Sequence, residues 1–235
     1  DVVTLKMFDS MIKAETNYDS KLQYPSRVGD QLDEISRITG LKITVNDLSS
    51  STLDQQVNFW DNTISIRSYL KWIAELEGKF PYSSADGSIR FRGISQQADW
   101  QTQDISDYEI DSIFTISRVC FDNGILLADA GDMSGQTIYL SNNNPYIDSS
   151  NADKIVNNIL SLYGGMSFYS ATKITAAGLD DLHSMDVVSY GDMKFLCTSF
   201  TSEYKGGTFQ IQTLDAKLNS KNMELASQKY DPTVK

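Results

Sequence analysis

The sequence predicts an α+β protein, in which a helix-strand α/β domain precedes a mostly antiparallel, β-barrel-like domain that one helix crosses. Three observations support this class. Apolar residues recur at helical spacing in two stretches before residue 80, they alternate with polar residues from Tyr108 onward, and glycines or turn dipeptides end each stretch. A chain of 235 residues can bury about 70% of its unfolded surface, so it needs neither metals nor disulfides to fold.

The first predicted helix follows a proline. Pro25 holds the preceding residue extended, Ser26 is a good N-cap, and Gly40 is a typical helix end. Four apolar residues between them share one helical face: Val28, Leu32, Ile35 and Ile38. A strand over 41–45 and a serine-rich loop over 47–53 are expected to follow.

A second helix and a hairpin complete the predicted α/β domain. Ser65 caps the helix, and the apolar stripe runs to Leu76 before Gly78 ends it. The hairpin pairs 80–83 with 89–92 around Asp86-Gly87, a dipeptide that supplies the positive φ angles of a tight turn.

From Tyr108 onward the hydrophobic period is two. Alternating runs separated by Asp, Asn and Gly are typical of an antiparallel meander. The predicted strands lie at 113–121, 124–127, 136–140, 166–175, 186–190, 194–202 and 208–216. A helix capped by Ser149 or Ser150 interrupts them and ends at Gly164-Gly165.

These patterns predict four segments. Residues 1–21 are the remnant of a preceding β domain, because a strand over 2–8 begins the chain without a polar tail. Residues 22–107 form the α/β domain, 108–216 the antiparallel β-barrel-like domain, and 217–235 a polar C-terminal linker or frayed helix. We therefore expect the chain to be a piece of a longer protein.

Charge and hydropathy exclude two classes of partner. The chain carries 31 acidic and 20 basic residues, a formal net charge of −11, so its field repels nucleic-acid phosphates and anionic lipids. No stretch approaches the roughly 18 apolar residues of a membrane span, and no signal peptide begins the chain. We expect a soluble, unexported protein without sequence-specific nucleic-acid binding.

Residues that could carry catalysis or bind a metal are few. His183 is the single histidine, and Gly131 to Gly135 has the wrong spacing for a nucleophile elbow, so His183 is expected to be a polar loop residue. Cys120 and Cys197 lie in apolar runs and are expected to be buried thiols, with a disulfide as the alternative. Zinc and phosphate-binding motifs are absent from the sequence.

Two further groups allow a functional interpretation beside a structural one. Asp180-Asp181, and Asp129 with Asp132, could serve a glycosidase or bind calcium, but they are expected to be solvated turn acids. The tryptophans, Trp60, Trp72 and Trp100, could form a sugar platform but are expected in a core or interface. We therefore assign no catalytic, cofactor-binding or metal-binding residue, and no cofactor.

Several segments, taken in order, resemble phage tail hub proteins, the family of siphophage tail-associated proteins and baseplate hubs. The resemblance covers most of residues 3 to 216, and Met185 departs from it because the family usually has glycine there. Residues 3–11, 24–26 and 35–40 resemble the exit of the family's first barrel. Residues 66–78 and 86–91 resemble its second helix with the hairpin that follows. Residues 144–147, 186–188 and 205–209 resemble its second barrel.

The resemblance implies a non-enzymatic structural component of a phage or prophage tail, located in the virion tail and assembled in the bacterial host cytoplasm. Its implied partners are a distal tail protein or tail-tube ring, tail-tip proteins, and two further copies of itself in a full-length homotrimer. The acidic balance would suit a channel through which DNA slides, or would simply maintain solubility. The alternatives are a cell-wall hydrolase that uses Asp180 or Asp181, and a carbohydrate- or receptor-binding module that uses the tryptophans.

Overall fold

The computed structural model describes residues 9–101, 105–177, 182–183, 185–205, 209–215 and 223–224. Its helices and its mixed and antiparallel sheets form an α+β fold, as predicted. The strand predicted over 2–8 lies outside the described residues, as does the polar segment from 217 onward except for 223–224.

The chain divides into two compact units, each made of two pieces. The first contains Asp1–Arg92 and the short segment Asn143–Asp148, and the second contains Gly93–Asn142 and Ser149–Lys235. The boundaries predicted at residues 21, 107 and 216 concern the modular make-up of a longer protein and stay a prediction.

The first unit consists of short helices and two small antiparallel ladders. Two 3₁₀ turns, Ser10–Glu15 and Val45–Asp47, accompany them. The helices are α1 (Val28–Thr39), α2 (Ser50–Leu53) and α3 (Ile66–Glu75). Strand β1 (Ser26–Arg27) pairs with β2 (Gln56–Val57), and β3 (Phe80–Ser83) pairs with β4 (Ile89–Arg92).

Local signals place α1, α3 and the hairpin where the sequence predicts them. Gly40 ends α1 in the left-handed conformation, and Ser65 caps α3 by accepting a hydrogen bond from the Ser68 N–H. The N-cap of α1 is Arg27, one residue later than predicted, and its guanidinium pairs with Asp30 at 2.9 Å.

The strand predicted over 41–45 is wrong. Only Ile43 makes a β-bridge, and the chain then turns at Val45–Asp47. The Asp47 carboxylate accepts hydrogen bonds from the Arg90 guanidinium at 2.8 Å and from the Phe91 N–H at 3.1 Å. These bonds fix a turn that alternation of apolar residues could not reveal, because the donors are more than 40 residues away.

The second unit is dominated by one long strand. Its single described helix is α4 (Ala152–Tyr163), which begins one residue after Asn151 and not after Ser149 or Ser150 as predicted. The strands are β5 (Trp100–Gln101), β6 (Ile105–Asp122), β7 (Leu127–Gly131), β8 (Gln136–Tyr139), β9 (Ser167–Ala177), β10 (Val187–Tyr190), β11 (Met193–Leu196), β12 (Ser199–Lys205), β13 (Phe209–Asp215) and β14 (Met223–Glu224).

The main sheet has the order β12-β13-β9-β6-β8-β14, with β7 paired to β6 as well. The pairings of β12 with β13, β13 with β9, β9 with β6 and β6 with β7 are antiparallel, as predicted. Strand β8 runs parallel to both β6 and β14. A second sheet joins β11, β10 and β5, and β5 is parallel to β10. The described strands form no closed barrel, and no described helix is long and apolar enough to cross a bilayer.

Three predicted strands have clearly different bounds in the structure. The strand expected over 113–121 is β6, which begins eight residues earlier, at Ile105. Residues 123–126 form a turn, and the strand expected at 124–127 begins only at Leu127. The strand expected over 194–202 is two strands, β11 and β12, because Cys197 instead pairs its backbone with Asp186. Pairing partners far along the chain therefore decide where these strands stop.

Strands β7 and β8 both pair with residues 118–120 of β6, so they lie on its two opposite edges and the loop between them crosses β6. The crossing lies at a bulge between Ile116 and Arg118. A Cβ at Gly131, which has φ of 93°, would lie 2.0 Å from the Ser117 carbonyl oxygen. A Cβ at Gly135 would lie 2.2 Å from the Thr115 carbonyl oxygen. The Gly-Asp-Met-Ser-Gly motif is therefore a backbone crossing that requires glycine at both ends.

Met185, where the resembling family has glycine, has a positive φ of 71°. Its side chain is buried, and its N–H donates to the Cys197 carbonyl at 2.6 Å. A left-handed conformation costs a non-glycine residue about 1–2 kcal/mol. The chain thus keeps the turn that glycine would favour and fills the adjoining space with a methionine side chain.

We expect Gly131→Ala to lower the free energy of unfolding by about 3 kcal/mol, because it adds overpacking against backbone to an unfavourable φ. Gly124→Ala is the matched control, since Gly124 has φ of 82° but open space around it, and it should cost only about 1 kcal/mol. Urea unfolding measures both values. Equal costs would show that the chain does not pass closely over Ser117.

We expect Met185→Gly to be less destabilising than Met185→Ala by about 1 kcal/mol, or roughly 2–4 °C in Tm for a chain of this size. Both variants lose the buried side chain, but only glycine relieves the positive φ. Calorimetry compares the two, and an alanine variant as stable as the glycine variant would contradict the expectation.

Candidate assembly surface

Large exposed apolar side chains cluster around strand β7. Ile125 is 98% exposed, Leu127 is 62% exposed and Met133 is 79% exposed. They lie in the turn before β7, at its first residue and in the crossing loop after it. The three form an interrupted apolar stripe along β7 and its flanking turns, with exposed Asp129 between Leu127 and Met133, and large exposed apolar side chains of this kind can mark a protein interface.

The turn before β7 holds Ile125 in a fixed position. The Asn123 side-chain oxygen accepts hydrogen bonds from the N–H groups of Ile125 at 3.0 Å and Leu126 at 2.7 Å. The Asp122 carboxylate accepts from the Gly124 N–H at 2.8 Å. Because the backbone is already ordered, little conformational entropy remains to be lost when Ile125 is buried against a partner.

The crossing loop presents Met133 in the same way. The Ser117 hydroxyl donates to the Asp132 carbonyl and accepts from the Gly135 N–H, both at 2.8 Å. The Ser134 hydroxyl and N–H both donate hydrogen bonds to the Asp132 carboxylate, the N–H at 2.8 Å, and together they hold the pKa of this carboxyl below its usual value. The loop is thus tied to β6 at both ends while Met133 extends into solvent.

Strand β7 has one buried and one exposed side. Ala128 and Ala130 are buried and α4 packs against the strand, whereas Leu127 and Asp129 are exposed. Asp129 forms an ion pair with Arg118 on β6. Within the described part of the chain β7 has a partner strand on one edge only, so its other edge offers backbone hydrogen-bonding groups to a partner.

The surface around the stripe is acidic. Asp122, Asp129 and Asp132 are all exposed, and the cation among them, Arg118, is mostly covered. Asp132 is an exposed turn acid, as expected from the sequence, whereas Asp129 lies within β7 and pairs with Arg118. No described group of three or more His, Cys, Asp or Glu side chains could hold a metal ion.

This surface was not predicted, because the strand expected over 124–127 would place Ile125 within a sheet. The dipeptide Asn123-Gly124 was the available signal, since Asn-Gly is a frequent tight-turn pair. A turn there exposes Ile125, whereas a buried strand would cover it. Met133 carried no such signal, because the crossing depends on the pairing of β8.

His183 lies beside a buried carboxylate. The Asp186 Oδ2 atom accepts hydrogen bonds from the His183 N–H at 2.7 Å and from Trp100 Nε1 at 3.1 Å. The His183 Nδ1 atom lies 3.9 Å from the same oxygen. Asp186 thus joins the turn before β10 to β5. Asp180 and Asp181, proposed for the hydrolase alternative, lie outside the described residues.

The tryptophans differ in their surroundings. Trp72 is buried and packs edge-on against Tyr69 with ring centroids 5.3 Å apart, as expected for a core residue. Trp60 is 38% exposed, donates to the Tyr18 carbonyl at 2.8 Å and stacks on Tyr24. Only Trp60 therefore retains an accessible aromatic surface comparable to that of a ligand platform.

Both cysteines are buried thiols, as the sequence predicts. Cys120 lies on β6, and burial raises the pKa of its thiol. Cys197 packs in a core that includes Ala171, Ile174 and Val188. Each behaves as a small apolar residue of the second unit.

A buried glutamate organises the first unit. The Glu34 carboxylate accepts hydrogen bonds from the hydroxyls of Tyr18 at 2.8 Å and Ser20 at 2.6 Å, and from the Lys21 N–H at 2.8 Å. Arg37 lies 3.3 Å away. Burial raises the pKa of the Glu34 carboxyl, but these donors and the Arg37 charge outweigh it and hold the pKa below 4.5.

The segment Asn143–Asp148 is fixed in the first unit by polar contacts of its own. The Asn144 side-chain amide donates to the Trp72 carbonyl and to the carboxylate of buried Glu75, both at 3.0 Å. The Tyr146 hydroxyl donates to the Gln31 side chain at 2.6 Å. The Asn-Pro-Tyr-Ile motif of the resemblance is therefore a buried part of the α/β unit.

The fold is similar to that of solved phage tail proteins. The tail protein from Neisseria meningitidis MC58 aligns with a TM-score of 0.53 and 12% identity over 88% of this chain and 71% of that chain. The 43 kDa tail protein of prophage MuSo2 from Shewanella oneidensis aligns with a TM-score of 0.50 and 11% identity over 88% and 69%. No protein-family model and no curated protein matches the sequence.

We expect acidification to destabilise the protein through Glu34. A carboxyl whose folded pKa lies below its unfolded value stabilises the fold above that value, and the contribution is lost as the pH falls through the folded pKa. Glu34→Gln should flatten the fall in unfolding free energy below pH 4.5. Asp33→Asn, an exposed neighbour on α1, is the control. Urea unfolding at several pH values between neutral and acid measures the free energy of unfolding. The same dependence of that free energy on pH in the wild type and in Glu34→Gln would contradict the expectation.

Proposed function

We propose that this protein is a structural component of a phage or prophage tail that works by assembling with other tail proteins. The shared fold with two tail proteins over 88% of the chain carries this proposal. Fold alone does not fix function, so a site-level argument is needed as well. The exposed apolar stripe on β7 supplies it, since a stripe of this kind is buried in an assembled particle.

The finer form of the proposal is a hub that links the tail tube, or a distal tail protein, to the tail tip. It is supported by Met185, which adopts the conformation that the family's glycine would favour. In this form three copies of the full-length protein surround the tail channel.

The proposed role is structural and not enzymatic. Asp180 and Asp181 lie outside the described residues, and of the other acids that could serve a hydrolase, Asp129 pairs with Arg118 and Asp132 closes a turn. A carboxylate engaged in this way acts as a fold element.

Immunogold electron microscopy of virions tests this function. Antibodies raised against the chain should label intact particles at the tail end distal to the capsid, and antibodies pre-absorbed with the protein should not. Light scattering of the full-length protein should give the mass of a trimer. Particles without label, from a strain that expresses the protein, would contradict the proposal.

A further inference from the structure

The stripe on β7 has the composition of a docking surface. It is formed by Ile125, Leu127 and Met133, which we call the β7 stripe. Both turns that flank β7 are held by side-chain hydrogen bonds, so the first and last of these residues are presented on an ordered backbone. Burying such side chains releases ordered water without a large entropy cost to the chain.

Charge narrows the class of partner. Asp122, Asp129 and Asp132 surround the β7 stripe, and one mostly covered arginine, Arg118, opposes them. A second copy of this chain would bring the same three acids and a further net charge of −11 to the contact. Nucleic acid and anionic lipid are repelled for the same reason. A surface flanked by lysine or arginine is attracted instead.

We propose that the β7 stripe docks into an apolar cleft of a different protein whose rim carries lysine or arginine side chains. The edge of β7 that has no partner strand among the described residues adds backbone donors and acceptors to the contact. This inference deepens the proposed tail function and rests on it, because it names the chemistry of one assembly partner.

Oxidation of Met133 in assembled tails tests whether the stripe is buried. Dilute hydrogen peroxide oxidises exposed methionines first, so Met133 in the isolated protein should react readily while buried Met11 reacts slowly. In purified tails, oxidation of Met133 should slow about tenfold or more, as followed by mass spectrometry of its peptide. The same rate in tails and in isolated protein would overturn the docking inference.

Carbodiimide cross-linking of the same tails identifies the partner's charge. The reagent joins a carboxylate directly to a lysine amine, so Asp122, Asp129 or Asp132 should be linked to lysines of a different tail protein. Links of these aspartates to a second copy of this chain, and to no other protein, would overturn the choice of a basic partner.

Substitution of one stripe residue separates docking from folding. Ile125→Asp should reduce incorporation of the protein into tails about tenfold or more, because it replaces a buried apolar contact and adds a like charge to the acidic rim. The matched control is Leu162→Asp on α4, which alters a 46% exposed leucine outside the stripe and should leave incorporation within about twofold. Both variants must have the same midpoint of urea unfolding as the wild type, so that a loss of incorporation does not come from unfolding. Equal incorporation of Ile125→Asp and Leu162→Asp into tails would contradict the proposal that the stripe is a docking surface.

The outcomes separate this inference from the proposed function. Absence of the chain from purified tails overturns both. A chain that is present in tails while Met133 stays as reactive as in the isolated protein overturns the inference alone and leaves the structural role standing.

Discussion

Strand β6 sets the constraint on which the second unit depends. It runs for 18 residues, and its backbone donors and acceptors must be paired along that length. No described partner strand covers all 18 residues, so β9 pairs up to Thr115 and β7 and β8 pair with β6 beyond the bulge at Ile116–Arg118. Because β7 and β8 pair with the same residues of β6 on opposite edges, the chain between them must cross β6. The exposed edge and the β7 stripe both result from that change of partner.

Buried carboxylates impose a comparable constraint on the first unit. A buried charge is tolerated only where donors surround it, and losing one donor costs more than forming the bond gains. Glu34 obtains donors from Tyr18 and Ser20, and Glu75 obtains one from Asn144, which is 69 residues away in sequence. These bonds specify which remote segments belong to the unit, and they are more selective in this than apolar packing.

The fold persists at 11–12% identity to the two tail proteins because ladders and caps rely on backbone groups, whose geometry many sequences satisfy. Surfaces are freer to change. Around β7, the described residues combine an exposed apolar stripe, an acidic surround and a strand edge without a partner strand. These features concern partner choice, since steering and specificity follow from complementary charge more than from buried area.

Helices α1, α3 and α4 and the β3–β4 hairpin could be predicted from the sequence because their signals are local: caps, helix-ending glycines and an Asp-Gly turn lie within a few residues. Composition likewise fixed the net charge and the repulsion of phosphate. Tertiary pairing decided that 41–45 is not a strand, that β8 is parallel to β6, and that Ile125 and Met133 face solvent. Alternation of apolar residues shows that one side of a strand can be buried, but only the folded neighbours determine whether anything covers it.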